Sequence, residues 1–401
     1  MGCLLYTSIG TTVRGLRAPI IREGDDIAAI AVDTLLSACR ENNIQTQDND
    51  ILAVTESIVA RAQANYVSVD EIAADVQEKF PAGQAGVVFP ILSRNRFAIA
   101  FSGICRGLKQ VYLMLSYPSD EVGNHLFSPD EMDAAGLDPY RDLLTEARYR
   151  ELFGNKTHTF TAVDYVAYYR EIAEQAGSEI QILFANDVRR ILDYTPHVLC
   201  ADIHTRFRSK RLLQQAGAQT VFGLDDLCTA PRNGSGYNSD YGLLGSNKAT
   251  ETTLKLFPRD CTALAQQIQD QVRQATGRTI QALVYGDGAF KDPVGKIWEL
   301  ADPVVSPGYT SGLEGQPNEL KLKYLADNDF SHLKGEDLRQ AIKTAIQTKA
   351  DNLVGQMSTQ GTTPRRLTDL IGSLCDLTSG SGDKGTPIIF IQGYFDNYAN
   401  D

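Results

Sequence analysis

The sequence predicts a mixed chain, α+β in its outer sections and α/β in its middle. Three observations carry that prediction. Residues 260–287 hold a phased helix and then a short apolar strand that ends in Asp287-Gly288. The N-terminal third alternates strand-like and helix-like segments. Residues 180–224 repeat strand, helix, strand, helix, strand.

The opening MGCLLYTS reads as a first strand. It lacks the basic and apolar regions of a signal peptide, and Tyr6 breaks the myristoylation pattern. Asp25 and Asp26 precede an apolar-periodic run, Ile27, Ile30, Ala31 and Leu35, and read as first-turn acids that complement the helix dipole. A strand at 50–54, a helix at 72–80 and a strand at 97–104 follow. Residues 128–175 are polar, aromatic and helix-like. Strands at 180–185, 197–203 and 220–224 then alternate with helices at 187–192 and 209–217. NGSGYNSDY, Asn233 to Tyr241, reads as a loop. In the last section Asp260 stands at an N-cap, Leu264, Ile268 and Val272 recur at i+4, and Gly277 follows as a C-cap. The strand at 279–285 brings Asp287 to its carboxyl end, where ligands and metals bind in such sheets; a hairpin turn at Asp287-Gly288 is the alternative.

A chain of 401 residues exceeds a single ordinary core, so two domains, or one with a large insertion, are expected. Lys plus Arg total 38 against 50 Asp plus Glu, a net charge of −12 that opposes generic nucleic-acid or anionic-membrane binding. The cluster Arg206, Arg208, Lys210 and Arg211 reads as a solvated helix face, with an anion site as the other reading. Seven cysteines are scattered without a CxxC pair, so neither a disulfide framework nor a zinc site is indicated, and a cytoplasmic protein is expected. No apolar run approaches a membrane span. His197 and His204 flank Asp202, but alternation puts His197 on the opposite strand face, which favours structural histidines over a metal site.

Four segments carry a resemblance. They are GLRAPIIREGDDIAAIAVDTLL, DNDILAVTESIVARAQAN, the stretch from Ser246-Asn247 through Pro258-Arg259-Asp260 to TGRTIQALVYGD, and RRLTDLIGSLCDLTSGSGDKGTPIIFIQGY. In this order they resemble the coenzyme F420-0:gamma-glutamyl ligase family, whose members add glutamate to a deazaflavin coenzyme using GTP and a divalent metal. The resemblance covers residues 5–104 and 246–400 and implies largely antiparallel sheets with flanking helices. Where the relatives run from an Ala-Gly-Ile-Asp-like turn straight into Ser-Asn, this chain holds residues 105–245. The expected organisation is therefore a ligase-like core, 1–104 and 246–401, interrupted by an inserted α/β domain at 105–245.

The resemblance also implies a site. Leu16, Pro19 and Ile20 lie where the relatives' first loop touches nucleotide. Glu56 and Ser57 fall on a nucleotide-contacting pair, and Arg61 replaces a phosphate-contacting lysine with a planar fork. Ser246 and Asn247 coincide with a nucleotide-contacting turn, and Gly380, Gly382 and Lys384 with the last Gly-rich nucleotide loop. Asp287 lies within one position of a metal-binding Asp and is the catalytic and metal candidate. Two carboxylates depart from the pattern: Leu244, or Cys105, stands for one metal-binding Asp, and Gly380 or Ser381 for a metal-binding Glu. Asp383 and Asp240 are the nearby substitutes.

These features imply a GTP- or ATP-dependent, magnesium- or manganese-dependent ligase that joins an amino acid, L-glutamate by analogy, to a small-molecule carboxylate through an acyl phosphate. The implied state is a homodimer. The alternatives are a non-catalytic homologue that binds nucleotide or a small anion, and a structural protein whose insertion carries a partner interface.

Overall fold

The computed structural model describes residues 9–287, 304–359, 365–379 and 383–399. The expected opening strand, Gly380 and Gly382 lie outside the described residues.

Strand β1 spans Thr12–Leu16 and helix α1 Ile27–Asn42. Asp26 is the N-cap of α1 rather than a first-turn acid, accepting from the Ala29 N–H at 3.0 Å. Next come β2, Ile51–Thr55, α2, Glu56–Ala62, β3, Tyr66–Ser68, and α3, Val69–Lys79. They lead into β4, Gln84–Val88, α4, Phe97–Arg106, and β5, Gln110–Leu115. The expected helix-like stretch forms α5, Pro129–Ala134, a short β6, Leu144–Thr145, α6, Glu146–Phe153, and α7, Tyr165–Ala176. The expected alternation follows as β7, Glu179–Phe184, a 3-10 turn in place of the first helix, β8, His197–Cys200, α8, Arg206–Gln215, and β9, Thr220–Gly223. Thereafter come β10, Asn247–Thr250, β11, Thr253–Lys255, α9, Cys261–Thr276, and β12, Gln281–Tyr285. The chain closes with β13, Gly308–Tyr309, α10, Leu322–Tyr324, α11, Gly335–Gln347, α12, Leu367–Ser379, and β14, Ile388–Gln392.

The strands form three sheets in a mixed α+β architecture. One has the order β1-β14-β2-β12-β13, in which only the β2–β12 pairing is parallel. Its three central strands, β14, β2 and β12, are buried on both faces, and alternation sorts their side chains. Leu52 and Val54 join α1 and α9 on one side, while Ile51 and Ala53 pack with Ile371 and Cys375 of α12 on the other. The stripe of α9 is Cys261, Ala265, Ile268 and Val272, with Leu264 at its edge, and Gly277 closes the helix at φ 72° as expected.

The six-stranded sheet, β6-β7-β5-β4-β8-β9, is parallel except at β6. It starts at β4, so it draws on residues ahead of position 105. A three-stranded antiparallel ribbon, β10-β11-β3, lies between the two larger sheets in the chain's path, and its Val67 and Leu254 enter the core of the second.

One expected element is wrong in type. Residues 97–104 were expected as a strand and form α4. A run of buried apolar residues looks alike in either state, and here nearly every position from Phe97 to Cys105 is buried. Small residues explain the fit. A Cβ on Gly103 would stand 2.7 Å from Ile72 and 3.0 Å from the Val69 carbonyl, so α3 and α4 meet backbone to side chain at this glycine.

The basic cluster on α8 is split. Arg206 and Lys210 turn onto Asp225 at 3.0 and 2.7 Å, while Arg208 and Arg211 are exposed. Asp202 accepts from the hydroxyls of Thr205 and Ser209, and His197 bonds Thr220. Among the described residues no group of three His, Cys, Asp or Glu side chains could hold a metal ion.

Candidate active site

The site grows from one edge of the five-stranded sheet. Parallel β2 and β12 end side by side, Thr55 opposite Tyr285, and Leu16 at the end of β1 pairs with Ile388 at the start of β14. The chain just past β2 and β12 therefore converges there, and it contributes Glu56, Ser57 and Asp287. The loop before β14 joins the same edge, since the Pro387 carbonyl accepts from the Thr55 N–H at 3.0 Å.

Lys255 organises the cluster. At the end of β11 its ammonium donates to the Ser57 hydroxyl at 2.6 Å and reaches Glu56 at 3.4 Å. Asn247 pairs in register with Lys255 across the antiparallel ribbon, so the two side chains share one face. Asp287 is ion-paired with Arg96, which stands just ahead of α4. Arg96, Ser246 and Asn247 in turn line a cavity of about 340 Å³ between the ribbon and the six-stranded sheet.

The electrostatics centre on Glu56. Burial pushes its carboxyl up, and the neighbouring Asp287 adds to that, while Lys255 and Arg96 pull the other way. One oxygen, Oε2, is buried without a hydrogen-bond partner among the described residues. A buried orphan oxygen calls for an explanation. A proton or a divalent cation would supply one. Two carboxylates beside a hydroxyl are the hard-oxygen set that magnesium uses when phosphates complete its shell. The residues present therefore fit such an ion at Glu56 and Asp287. Close by, burial and then Glu56 push the Cys261 thiol up to about 12, so it is an inert packing group.

The structure brings together Glu56, Ser57, Ser246, Asn247 and Asp287 from the expected set. Leu16, Pro19 and Lys384 line a separate open groove between β1 and α1, with Arg14 and Arg17. Ile20 is 83% exposed, and Arg61 is exposed at the end of α2. Neither reaches the cluster through a hydrogen bond or ion pair among the described residues. Asp383 is likewise exposed and without such a bond among them, and it adds no third carboxylate to Asp287. Gly380 and Gly382 cannot be placed because they lie outside the described residues.

Sequence reasoning missed Lys255 and Arg96. Lys255 meets Glu56 across a sequence separation of 199 residues, which no local pattern reveals. Arg96 precedes a segment read in the wrong secondary structure. The only local hint was the Thr-Leu-Lys alternation that buries Leu254 and turns Lys255 to the other face.

The described residues contain no helix long and apolar enough to cross a membrane. No curated protein matches the chain. A family model described as F420-0:Gamma-glutamyl ligase matches residues 15–393, a span that takes in both larger sheets and the ribbon. That match supports a gamma-glutamyl ligase function acting on small molecules. On that span of nearly the whole sequence, the chain belongs to the F420-0:gamma-glutamyl ligase family.

Proposed function

We propose that the chain is a nucleotide-dependent amide ligase that joins L-glutamate to a carboxylate substrate through an acyl phosphate, with GTP, or ATP, as phosphoryl donor. One observation carries the reading: Lys255 bridges Ser57 and the half-satisfied Glu56 at the sheet edge where Asp287 also lies. The substrate carboxylate attacks the γ-phosphorus, the bond to the bridging oxygen breaks, and nucleoside diphosphate leaves. The glutamate amine then attacks the acyl carbon, inorganic phosphate leaves, and the amine gives up a proton.

The residues divide that work. Lys255 and the Ser57 hydroxyl neutralise and orient the phosphates, and Lys255 takes the place first expected for Arg61. Glu56 and Asp287 are the carboxylates that would hold magnesium or manganese. That ion would screen phosphate charge and polarise the transferred group. Arg96 holds Asp287 in place before nucleotide arrives. Leu16, Pro19 and Lys384, at the neighbouring groove, serve the outer part of the nucleotide. The six cysteines among the described residues are all free and buried, which suits a cytoplasmic protein, and a homodimer is the state implied by the family.

The experiment is conversion of GTP to GDP and phosphate in the presence of magnesium, L-glutamate and coenzyme F420-0 or a panel of other acids. Turnover that requires both glutamate and the acid supports the reading. Tight nucleotide binding without glutamate-dependent turnover would replace it with a binding-only homologue, which the pairing of Asp287 with Arg96 would then explain.

A further inference from the structure

The cavity that Arg96, Ser246 and Asn247 line has a particular place in the fold. The chain lays down β4, β5 and β7 in one direction and then returns to set β8 on the other side of β4, with β9 beyond it. Loops leaving β4 and β8 therefore diverge, and the crevice at such a crossover, beyond the carboxyl ends of parallel strands, is where open α/β sheets bind ligands. The cavity lies there. Its wall comes from Leu92 after β4, Ile203 after β8, Leu224 after β9 and Ala100 of α4. At about 340 Å³ it stands at the small end of the usual range for small-molecule sites, roughly 300–1,000 Å³.

Its polarity is mixed. Leu92, Ala100, Ile203 and Leu224 give an apolar wall, the Asn124 side chain on it is spent on Asp120 and His158, and Arg96, Ser246 and Asn247 stand together where the ribbon meets it. Ser246 is 4% exposed, yet its hydroxyl makes no hydrogen bond among the described residues, and the same holds for the side-chain amide of Asn247. Both are neutral donors. Arg96 stands beside them and connects the mouth to Asp287. The Lys248 N–H donates to the Asn95 carbonyl at 2.7 Å, which ties the ribbon to the loop after β4 and fixes this mouth.

We infer that this cavity seats the acid that is to be amidated, and that the acid has an apolar body. The body enters the crossover crevice of the six-stranded sheet. The carboxylate stays at the mouth, held by the Ser246 hydroxyl and the Asn247 amide under the positive field of Arg96, facing the cluster at Glu56, Ser57 and Lys255. The six-stranded sheet thus selects the substrate while the five-stranded sheet performs the chemistry. This assignment rests on the ligase reading above.

The test uses octanoate as probe, with isothermal titration of the full chain, and compares the wild type with Ala100→Phe and Ser246→Ala. Ala100→Phe fills the inner wall; Ser246→Ala removes one donor with almost no change in shape and guards against a folding failure of the first variant. Octanoate should bind the wild type, at least tenfold more weakly to Ala100→Phe, and about three- to tenfold more weakly to Ser246→Ala, the size of one hydrogen bond. GTP affinity should be the same in the wild type and Ala100→Phe. Absence of octanoate binding at millimolar concentration, or equal binding by wild type and folded variants, overturns the assignment. The two readings fail separately. Nucleotide binding without octanoate binding removes the cavity assignment alone. Octanoate binding that depends on the cavity, without any nucleotide binding, removes the ligase chemistry and leaves an acid-binding site.

Discussion

The two large sheets of this molecule solve different problems. The five-stranded sheet buries its central strands on both faces and carries its polar cluster at the strand ends, where Glu56, Ser57 and Asp287 follow β2 and β12 and Lys255 reaches over from the ribbon. The six-stranded sheet is also covered by helices, but its crossover leaves a crevice with an apolar wall bordered by Arg96, Ser246 and Asn247. Charge sits where two strands end in register, and shape sits where strand order reverses. Arg96 belongs to the second unit by its helix and to the first by its ion pair, so the two properties meet at one residue.

The largest effect is expected at Lys255. Lys255→Ala removes the cation between Ser57 and Glu56, and glutamate-dependent turnover should fall about 100- to 1,000-fold, as when one electrostatic stabiliser is lost from an active site. The melting temperature should also fall, because the buried Glu56 carboxyl loses its cation, but the variant should still fold. Full turnover by the folded variant would mean that Lys255 serves only to hold the ribbon against α2.

Next in size is Gly103→Leu in the second unit. The first carbon alone would meet Ile72 at 2.7 Å, and the rest has nowhere to go between α3 and α4. Overpacking should cost about 3 kcal/mol in urea denaturation. Octanoate binding at the neighbouring cavity should weaken with it, whereas GTP binding should not.

Asp202 gives the six-stranded region its own pH dependence. Burial raises its carboxyl from 3.8 to about 6, although the Thr205 and Ser209 hydroxyls oppose this. The folded state therefore holds the proton more tightly than the unfolded chain. The resulting stability is complete below pH 3.8 and is lost as pH rises through about 6. Asp202→Asn keeps an acceptor for both hydroxyls and removes the charge, so its melting temperature should stay flatter over that window and exceed the wild type's near neutrality. The difference should be no more than about 3 kcal/mol. Parallel curves for the two proteins would show that Asp202 does not titrate there.

The smallest effect is expected at Arg61. Exposed at the end of α2, it should change turnover less than about threefold when replaced by Ala, the scale of an exposed charge. A loss as deep as that of Lys255→Ala would restore Arg61 as the phosphate cation.

Much of the five-stranded region was legible because its signals are local. Gly277 marks a helix end through its left-handed backbone, and the apolar strand before Asp287 declares itself by composition. The middle section was legible as alternation from residue 180 onward, but β4 and β5 were not read. They are short, and the helix between them is apolar on almost every side, so periodicity could not separate it from a strand. The site divides in the same way. A strand end pointed to Asp287 and the family resemblance to Glu56 and Ser57, whereas Lys255 and Arg96 depend on pairings between distant segments.

The most direct test of the central claim, that Lys255, Ser57, Glu56 and Asp287 form one phosphate- and metal-holding site, is calorimetric titration of GTP with magnesium into the wild type and Lys255→Ala. Saturable binding by the wild type, weakened at least tenfold in the variant, is the predicted result. No binding at millimolar GTP, or equal affinity in the two proteins, would contradict the account.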